Sequence, residues 1–247
     1  MRRRVLTGMS VLDKMLNGGI PEGNQVAIAG SPGAGKTLTS FEYLYKNAKV
    51  GNKGVLFSLE ESPEEIIENA KDAFTDFEDI DELIKKGDLS IDGTDITDTI
   101  RGNGPGGEGV EMTYAFGTAI NSLSSTIKSH NAKRVVIDSL TTFKQLIKDP
   151  LAYRMLSLNL IRMLKNLNVT SLLTLEVNNA SRQHMQYLSE FFIYDGIIAL
   201  YSTAEEQIRI QSMEVLKMRG TKHSFKTIPY VITSGGLNPI IAVENVM

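Results

Sequence analysis

Short apolar runs recur along most of the chain, with amphipathic stretches between them. "QVAIAG" (25–30), "GVLFSLE" (54–60), "KRVVIDS" (133–139), "TSLLTLEV" (170–177) and "DGIIALY" (195–201) lack strict polar alternation. Such runs predict strands covered on both faces. "LSID" (89–92) predicts a further short strand. Helical composition follows the first run from Lys36 to about Val50, and Gly51 suits its end. Ser62, Pro63 and Glu65 spell an N-cap, a first helical position and a capping box, which predicts a helix to about Phe74. "FEDIDELIKKGD" (77–88) predicts another short helix, residues 111–130 a longer one, and Leu156, Leu160, Met163, Leu164 and Leu167 recur at helical spacing after Pro150. "RGNGPGGEG" (101–109) holds five glycines and a proline and reads as a mobile loop; "NNASRQHMQYLSE" (178–190) also reads as a loop.

The last third is a run of strands. "QIRIQSMEVLKMRG" (207–220) alternates at both ends, which places Ile208, Ile210, Leu216 and Met218 on one face. Its middle slips phase, so a bulge or burial on both faces is expected there. "HSFKTIPYVIT" (223–233) returns as its partner. The chain therefore reads as one α/β domain over 1–247. A mainly parallel central sheet is flanked by helices and continued by an antiparallel C-terminal extension.

Composition narrows the chemistry. The 247 residues are 42% hydrophobic and 22% charged, with a net charge of −3, so whole-chain charge argues for neither nucleic acid nor an anionic membrane. Cysteine is absent, which excludes disulfides, thiolate zinc sites and cysteine nucleophiles. The three histidines are scattered and make a poor metal cluster. No apolar run reaches the ~18 residues of a membrane span, and "MRRRVLTG" has no apolar region behind it. A cytoplasmic protein is expected.

"GSPGAGKT" (30–37) matches G-x-x-x-x-G-K-[ST] between a predicted strand and a predicted helix. Small residues let backbone amides curl around a polyphosphate, and the helix N-terminus adds partial positive charge. Gly30, Ser31, Pro32, Gly33, Ala34, Gly35, Lys36, Thr37 and Leu38 are thus the candidate polyphosphate-binding residues. Lys36 would reach the β- and γ-phosphates, and the Thr37 hydroxyl would ligate Mg2+. Asp138, at the end of "RVVID", is the candidate second metal partner. Glu60 and Glu61 in "SLEES" could orient and deprotonate water, or belong to an acidic stretch favoured by the helix dipole; spacing does not decide between them.

The order of these pieces resembles one group of proteins. "TGMSVLDKMLNGGIPEGNQVAIAGSPGAGKT" (7–37), "LEES", "RVVIDSLT", "DGIIAL" and "KMRGTKHS" resemble the KaiC-like and archaeal RadA-paralogue (RadC-like) branch of the RecA-superfamily ATPases. The resemblance implies a P-loop, RecA-like core that binds ATP with Mg2+ and hydrolyses it slowly. It implies Glu60 as principal base, Glu61 as its assistant, and Lys217 and Arg219 acting on a γ-phosphate bound by an adjacent subunit, in a homo-oligomer of hexameric habit. An arginine supplied in trans is worth about 10³–10⁵ in rate. Glu176 departs from the glutamine that many members use to sense the γ-phosphate. Either sensing differs here or the equivalent position lies a residue or two away. With one ATPase unit, neither a clock role nor full strand exchange is expected.

Two functions follow. In the first, a recombinase paralogue binds single-stranded DNA through the loops after the third and fourth strands, using Lys144, Lys148, Arg182 and His184, with Phe143 and Tyr187 as stacking surfaces. Arg2, Arg3 and Arg4 could add phosphate contacts. In the second, a KaiC-like nucleotide switch acts through protein partners without DNA.

Overall fold

The computed structural model describes residues 2–93, 108–147, 149–177, 188–205 and 208–240. Strands are β1 (Arg4–Val5), β2 (Ile20–Pro21), β3 (Gln25–Gly30), β4 (Gly54–Ser58), β5 (Leu89–Gly93), β6 (Arg134–Asp138), β7 (Thr170–Glu176), β8 (Gly196–Glu205), β9 (Ile208–Met218), β10 (Ile228–Thr233) and β11 (Gly236–Pro239). Helices are α1 (Ser10–Met15), α2 (Lys36–Lys49), α3 (Pro63–Ala73), α4 (Ile80–Lys86), α5 (Glu108–His130), α6 (Leu140–Leu146) and α7 (Pro150–Asn166), with a 3-10 turn at Ser189–Phe192. Nine strands form one sheet in the order β11-β10-β9-β8-β3-β7-β6-β4-β5. From β8 to β5 every neighbouring pair is parallel. β9, β10 and β11 extend the sheet antiparallel.

Burial on both faces explains the unbroken apolar strands. Successive side chains of β3 go to opposite sides. Val26 and Ile28 join a core with Phe41 and Leu44 of α2, Ile66 of α3 and Ile80 of α4. Ala27 and Ala29 join a second core with Phe116 and Leu123 of α5 and Leu160 and Leu164 of α7. The capping box forms as the sequence predicts: the Glu65 amide donates to Ser62 Oγ, and Glu65 Oε2 accepts from the Ser62 amide.

The predicted irregularity in β9 is a register shift. Ile197 faces Lys217 while Ile198 faces Val215, which leaves Leu216 without a partner across the ladder. The extra residue reverses the alternation. Leu216 packs against the second core, whereas Met218 joins Met213 and Val215 in the first. The expected common face of Leu216 and Met218 is thereby corrected. Residues 141–149, expected as a loop, are largely α6. Its Leu140 and Phe143, three apart, turn one face inward. The expected loop at 101–109 lies mostly outside the described residues, with residues 108 and 109 already in α5.

The antiparallel extension grips α2. Glu42, on the buried side of that helix, accepts the Leu237 amide at 2.8 Å. Lys46, one turn on, donates to the Gly235 carbonyl at 3.3 Å. Gly236 has φ of 117°, and a Cβ there would stand 2.2 Å from Glu42 Oε1, so only glycine lets the hairpin close onto the carboxylate. Burial pushes the Glu42 carboxyl up to about 7, against the opposing pull of the Leu237 amide and Lys46.

That shift has a definite sign. The folded chain holds a proton on Glu42 that the unfolded chain releases near its ordinary value of 4.5, so this group's stabilisation is complete below that range and is lost as pH rises towards 7. We expect Glu42→Gln, which keeps an acceptor for Leu237, to match the parent in urea unfolding near pH 4.5. At pH 8 it should exceed the parent by about 1–3 kcal/mol.

Candidate functional site

The carboxyl ends of β3, β7, β6 and β4 line one edge of the sheet, and register sets what stands there. Gly30 is level with Glu176, and Ser58 with Asp138. Beyond Gly30 the chain turns through Gly33 and Gly35, at φ of 74° and 79°, and enters α2 at Lys36. Left-handed residues flanking Ala34 curl the backbone, and the N-terminus of a 14-residue helix faces the same space. Lys36 folds back over the turn, its Nζ donating to the Ser31 carbonyl at 3.1 Å. Burial lowers its pKa, and the negative charges of Glu176, Asp138 and Glu60 raise it again. Strand register and the Glu60–Ser139 bond put the four groups along the same carboxyl edge of the sheet.

Asp138 is buried and held by hydroxyls. Burial pushes its carboxyl up, while Thr174, Thr37 and the charge of Lys36 pull it down. Thr174 Oγ1 donates to Asp138 Oδ1. The two residues predicted as metal partners stand on the same side of the sheet, Asp138 at the carboxyl end of β6 and Thr37 in the first turn of α2. Among the described residues no group of three or more His, Asp or Glu side chains is placed to hold a metal. A magnesium ion here would take its remaining ligands from polyphosphate and water, the usual habit of that cation.

The adjacent glutamates have different partners. Glu60 Oε1 accepts from Ser139 Oγ at 2.7 Å and from Thr142 Oγ1 at 2.6 Å, so it leans over the end of β6. Glu61 turns to α3, where Asn69 Nδ2 donates to it at 3.0 Å. Burial raises its pKa; Asn69 opposes the rise, and Asp138, Glu65 and Glu60 add to it. Glu176 stands beside the turn, its amide donating to Thr141 Oγ1 at 2.8 Å. Sequence reading missed Thr174, Ser139, Thr142 and Asn69. Only Thr174 left a signal, as a polar residue inside an apolar strand.

Lys217 and Arg219 lie at the opposite pole. Lys217 is level with Ile197, and Gly196 with Val26 at the start of β3, so both cations lie a strand length from the chain's own turn. Lys217 Nζ donates to the carbonyls of Tyr194 at 2.7 Å and Phe191 at 3.2 Å. Arg219 donates to the Phe192 carbonyl at 2.9 Å and to Asp195 Oδ1 at 3.4 Å. Burial and the nearby Arg219 lower the pKa of Lys217. Asp195 is the hub of this pole, accepting also from Lys165 at 2.9 Å and from the Gln25 amide at 3.1 Å. An open groove of about 1190 Å³ lies there, bordered by Arg2, Arg4, Lys165, Lys222, Asp195 and Arg219 among others.

The residues named for single-stranded DNA fare differently. Phe143 is buried edge-on against Phe116, with ring centroids 4.1 Å apart, so it offers no stacking surface. Lys144 is paired with Glu190. Arg4 is committed to the carbonyls of Leu16 and Gly19, and Arg3 lies 3.9 Å from Glu22. Lys148, Arg182, His184 and Tyr187 lie outside the described residues. No described helix is long and apolar enough to cross a membrane.

The family whose model matches residues 5–243 is described as the ATPase KaiC. The circadian clock oscillator protein KaiC of Picosynechococcus sp. is 32% identical over 238 residues, covering 96% of this chain and 44% of that protein. Its namesake in Synechococcus elongatus is 30% identical over 238 residues, covering 95% and 44%. A UPF0273 protein of Pyrococcus horikoshii is 34% identical over 241 residues, covering 96% of this chain and 94% of that one. The chain thus spans less than half the length of the KaiC relatives and nearly all of the Pyrococcus protein.

Asp195 supports three donors at once, so its loss should be felt in stability. Asp195→Ala strands the buried Gln25 amide and releases two half-exposed cations, and we expect it to lower urea stability by about 1–3 kcal/mol. Asp195→Asn keeps an acceptor for the amide and should lose less than half of that.

Proposed function

The chain belongs to the KaiC ATPase family, and from that premise we propose that it is a slow, magnesium-dependent ATPase whose nucleotide state is read by protein partners. The observation that carries this reading is the left-handed glycine turn at a helix N-terminus, with Lys36 folded over it and Asp138, Glu60 and Glu176 along the same carboxyl edge of the sheet. Backbone amides of Gly33, Gly35, Lys36 and Thr37 take the phosphate oxygens, and Lys36 exchanges the Ser31 carbonyl for the β- and γ-phosphates. Thr37 and Asp138 would hold magnesium, which when bound neutralises charge on the phosphate oxygens. Glu60, steered by two hydroxyls, aligns the attacking water and accepts its proton in this reading. Glu61, fixed by Asn69, supports it from the α3 side.

Lys217 and Arg219 cannot serve the turn of their own chain, which lies at the far end of β3. In a head-to-tail ring the pole of one copy meets the edge of the next. Both cations would then leave their carbonyl contacts for the neighbour's γ-phosphate. The rival reading, a recombinase paralogue working on single-stranded DNA, has less support because Phe143 is in the core and Lys144 is paired.

Phosphate release with Mg2+, measured with and without single-stranded DNA at low salt, tests the proposal. We expect turnover that chelation abolishes and DNA leaves unchanged; DNA stimulation would favour the recombinase. Lys36→Ala should lose ATP binding. Glu60→Gln should keep binding and lose about 10²–10⁴ in turnover. Arg219→Ala should bind ATP yet turn over poorly, and mixing it with Lys36→Ala protein should restore part of the activity. No recovery at any mixing ratio would count against a shared site, and absence of ATP binding by the parent would sink the whole reading.

A further inference from the structure

The amides of the glycine turn can greet a phosphate only if their peptide planes are held, and the antiparallel extension meets the turn from its other side. Gln211 of β9 and Tyr230 of β10 are direct cross-strand partners, so their side chains leave the sheet together. Ile232 follows on the same face, two residues along. The three touch consecutive residues of the turn. Gln211 Nε2 donates to the Gly33 carbonyl at 3.2 Å. Tyr230 O–H donates to the Ala34 carbonyl at 2.7 Å, in a buried bond. Ile232 Cδ1 lies 2.8 Å from where a Gly35 Cβ would be, which puts it hard against the backbone there.

A trans peptide is planar, with its C=O and N–H pointing to opposite sides. A donor that fixes the Ala34 carbonyl towards β10 therefore turns the Gly35 amide the other way, into the space before α2. The same holds more weakly for the Gly33 carbonyl and the Ala34 amide, which also bonds the Ser31 carbonyl at 3.2 Å. We infer that Tyr230, assisted by Gln211, is a positioning residue for nucleotide binding: its hydroxyl presets the turn's amides for the phosphates of ATP from the C-terminal extension. This inference rests on the reading that the turn binds triphosphate. A cleft of about 520 Å³ beside Gly33, bordered by Tyr230, Pro229 and Ile240, offers the competing use of the hydroxyl, a contact to the nucleotide base.

Inorganic tripolyphosphate separates the two uses, since it has phosphates and no base. Affinities for a fluorescent ATP analogue and for tripolyphosphate, both with Mg2+, would be measured for the parent, Tyr230→Phe, Gln211→Met and the control Tyr43→Phe. The control loses a remote bond, that of Tyr43 to the Thr170 carbonyl at 3.2 Å. We expect Tyr230→Phe to weaken both ligands alike, by about 5–10-fold. Gln211→Met should weaken both by about 2–3-fold, and Tyr43→Phe neither, at the same protein stability in urea for Tyr230→Phe and Tyr43→Phe. Parent-like affinities in Tyr230→Phe overturn the inference and leave the triphosphate reading standing. A loss confined to the ATP analogue also overturns it, by assigning the hydroxyl to the base. Equal losses in Tyr230→Phe and Tyr43→Phe reduce it to general destabilisation. No binding of either ligand by the parent removes the reading beneath it.

Discussion

One lysine stands among carboxylates, and much of the architecture answers to that imbalance. Asp138, Glu60 and Glu176 all act on Lys36 across the carboxyl edge of the sheet. Adding a polyphosphate to such a place is unfavourable by simple electrostatics unless more positive charge arrives with it. Oriented amides and a helix N-terminus contribute partial charges, and a divalent ion contributes two whole ones. The remaining deficit is physically meaningful. It makes the site a poor anion trap by itself and a good one when further cations can be brought to it.

The fold keeps such cations at its other pole. Lys217 and Arg219 sit over the 191–195 turn, held by its carbonyls and by the Asp195 carboxylate. The glycine turn of their own chain is a strand length away along β3. A charge deficit at one end and a stored surplus at the other suit head-to-tail assembly, in which each junction neutralises what each copy leaves unbalanced. The surplus is not free. Lys217 is partly desolvated beside Arg219, so releasing both to a neighbour's phosphate trades carbonyl and carboxylate contacts for a stronger anion.

Legibility followed the range of the interactions. β3 matches its sequence run residue for residue, because a strand buried on both faces shows in composition alone. The Ser62–Glu65 cap was readable for a similar reason: both partners lie within one helical turn. α6 was not, since seven residues are too few for a clear period and such a helix exists by packing Leu140 and Phe143 inward. That one miss carried the larger error, because it turned a core phenylalanine into a supposed stacking platform. Adjacent Glu60 and Glu61 were named together, but their separate partners, Ser139 and Asn69, come from different elements and leave no spacing to find. The slip in β9 was visible as a loss of phase. Its consequence for Leu216 needed the ladder.

The antiparallel extension then acquires a purpose beyond lengthening the sheet. It holds α2 through Glu42 and Lys46, and it holds the turn before α2 through Gln211 and Tyr230. Turn and helix are the two parts that a polyphosphate must find already aligned. A ligand on the amide side and the extension on the carbonyl side constrain the same peptide planes, so each must favour the other. If the turn binds triphosphate as proposed, that coupling is reciprocal by linkage: what loosens β10 and β11 weakens the ligand, and the ligand protects β10 and β11 by the same free energy. The strands farthest from the parallel core are on this account as much a part of the site as the glycines they touch.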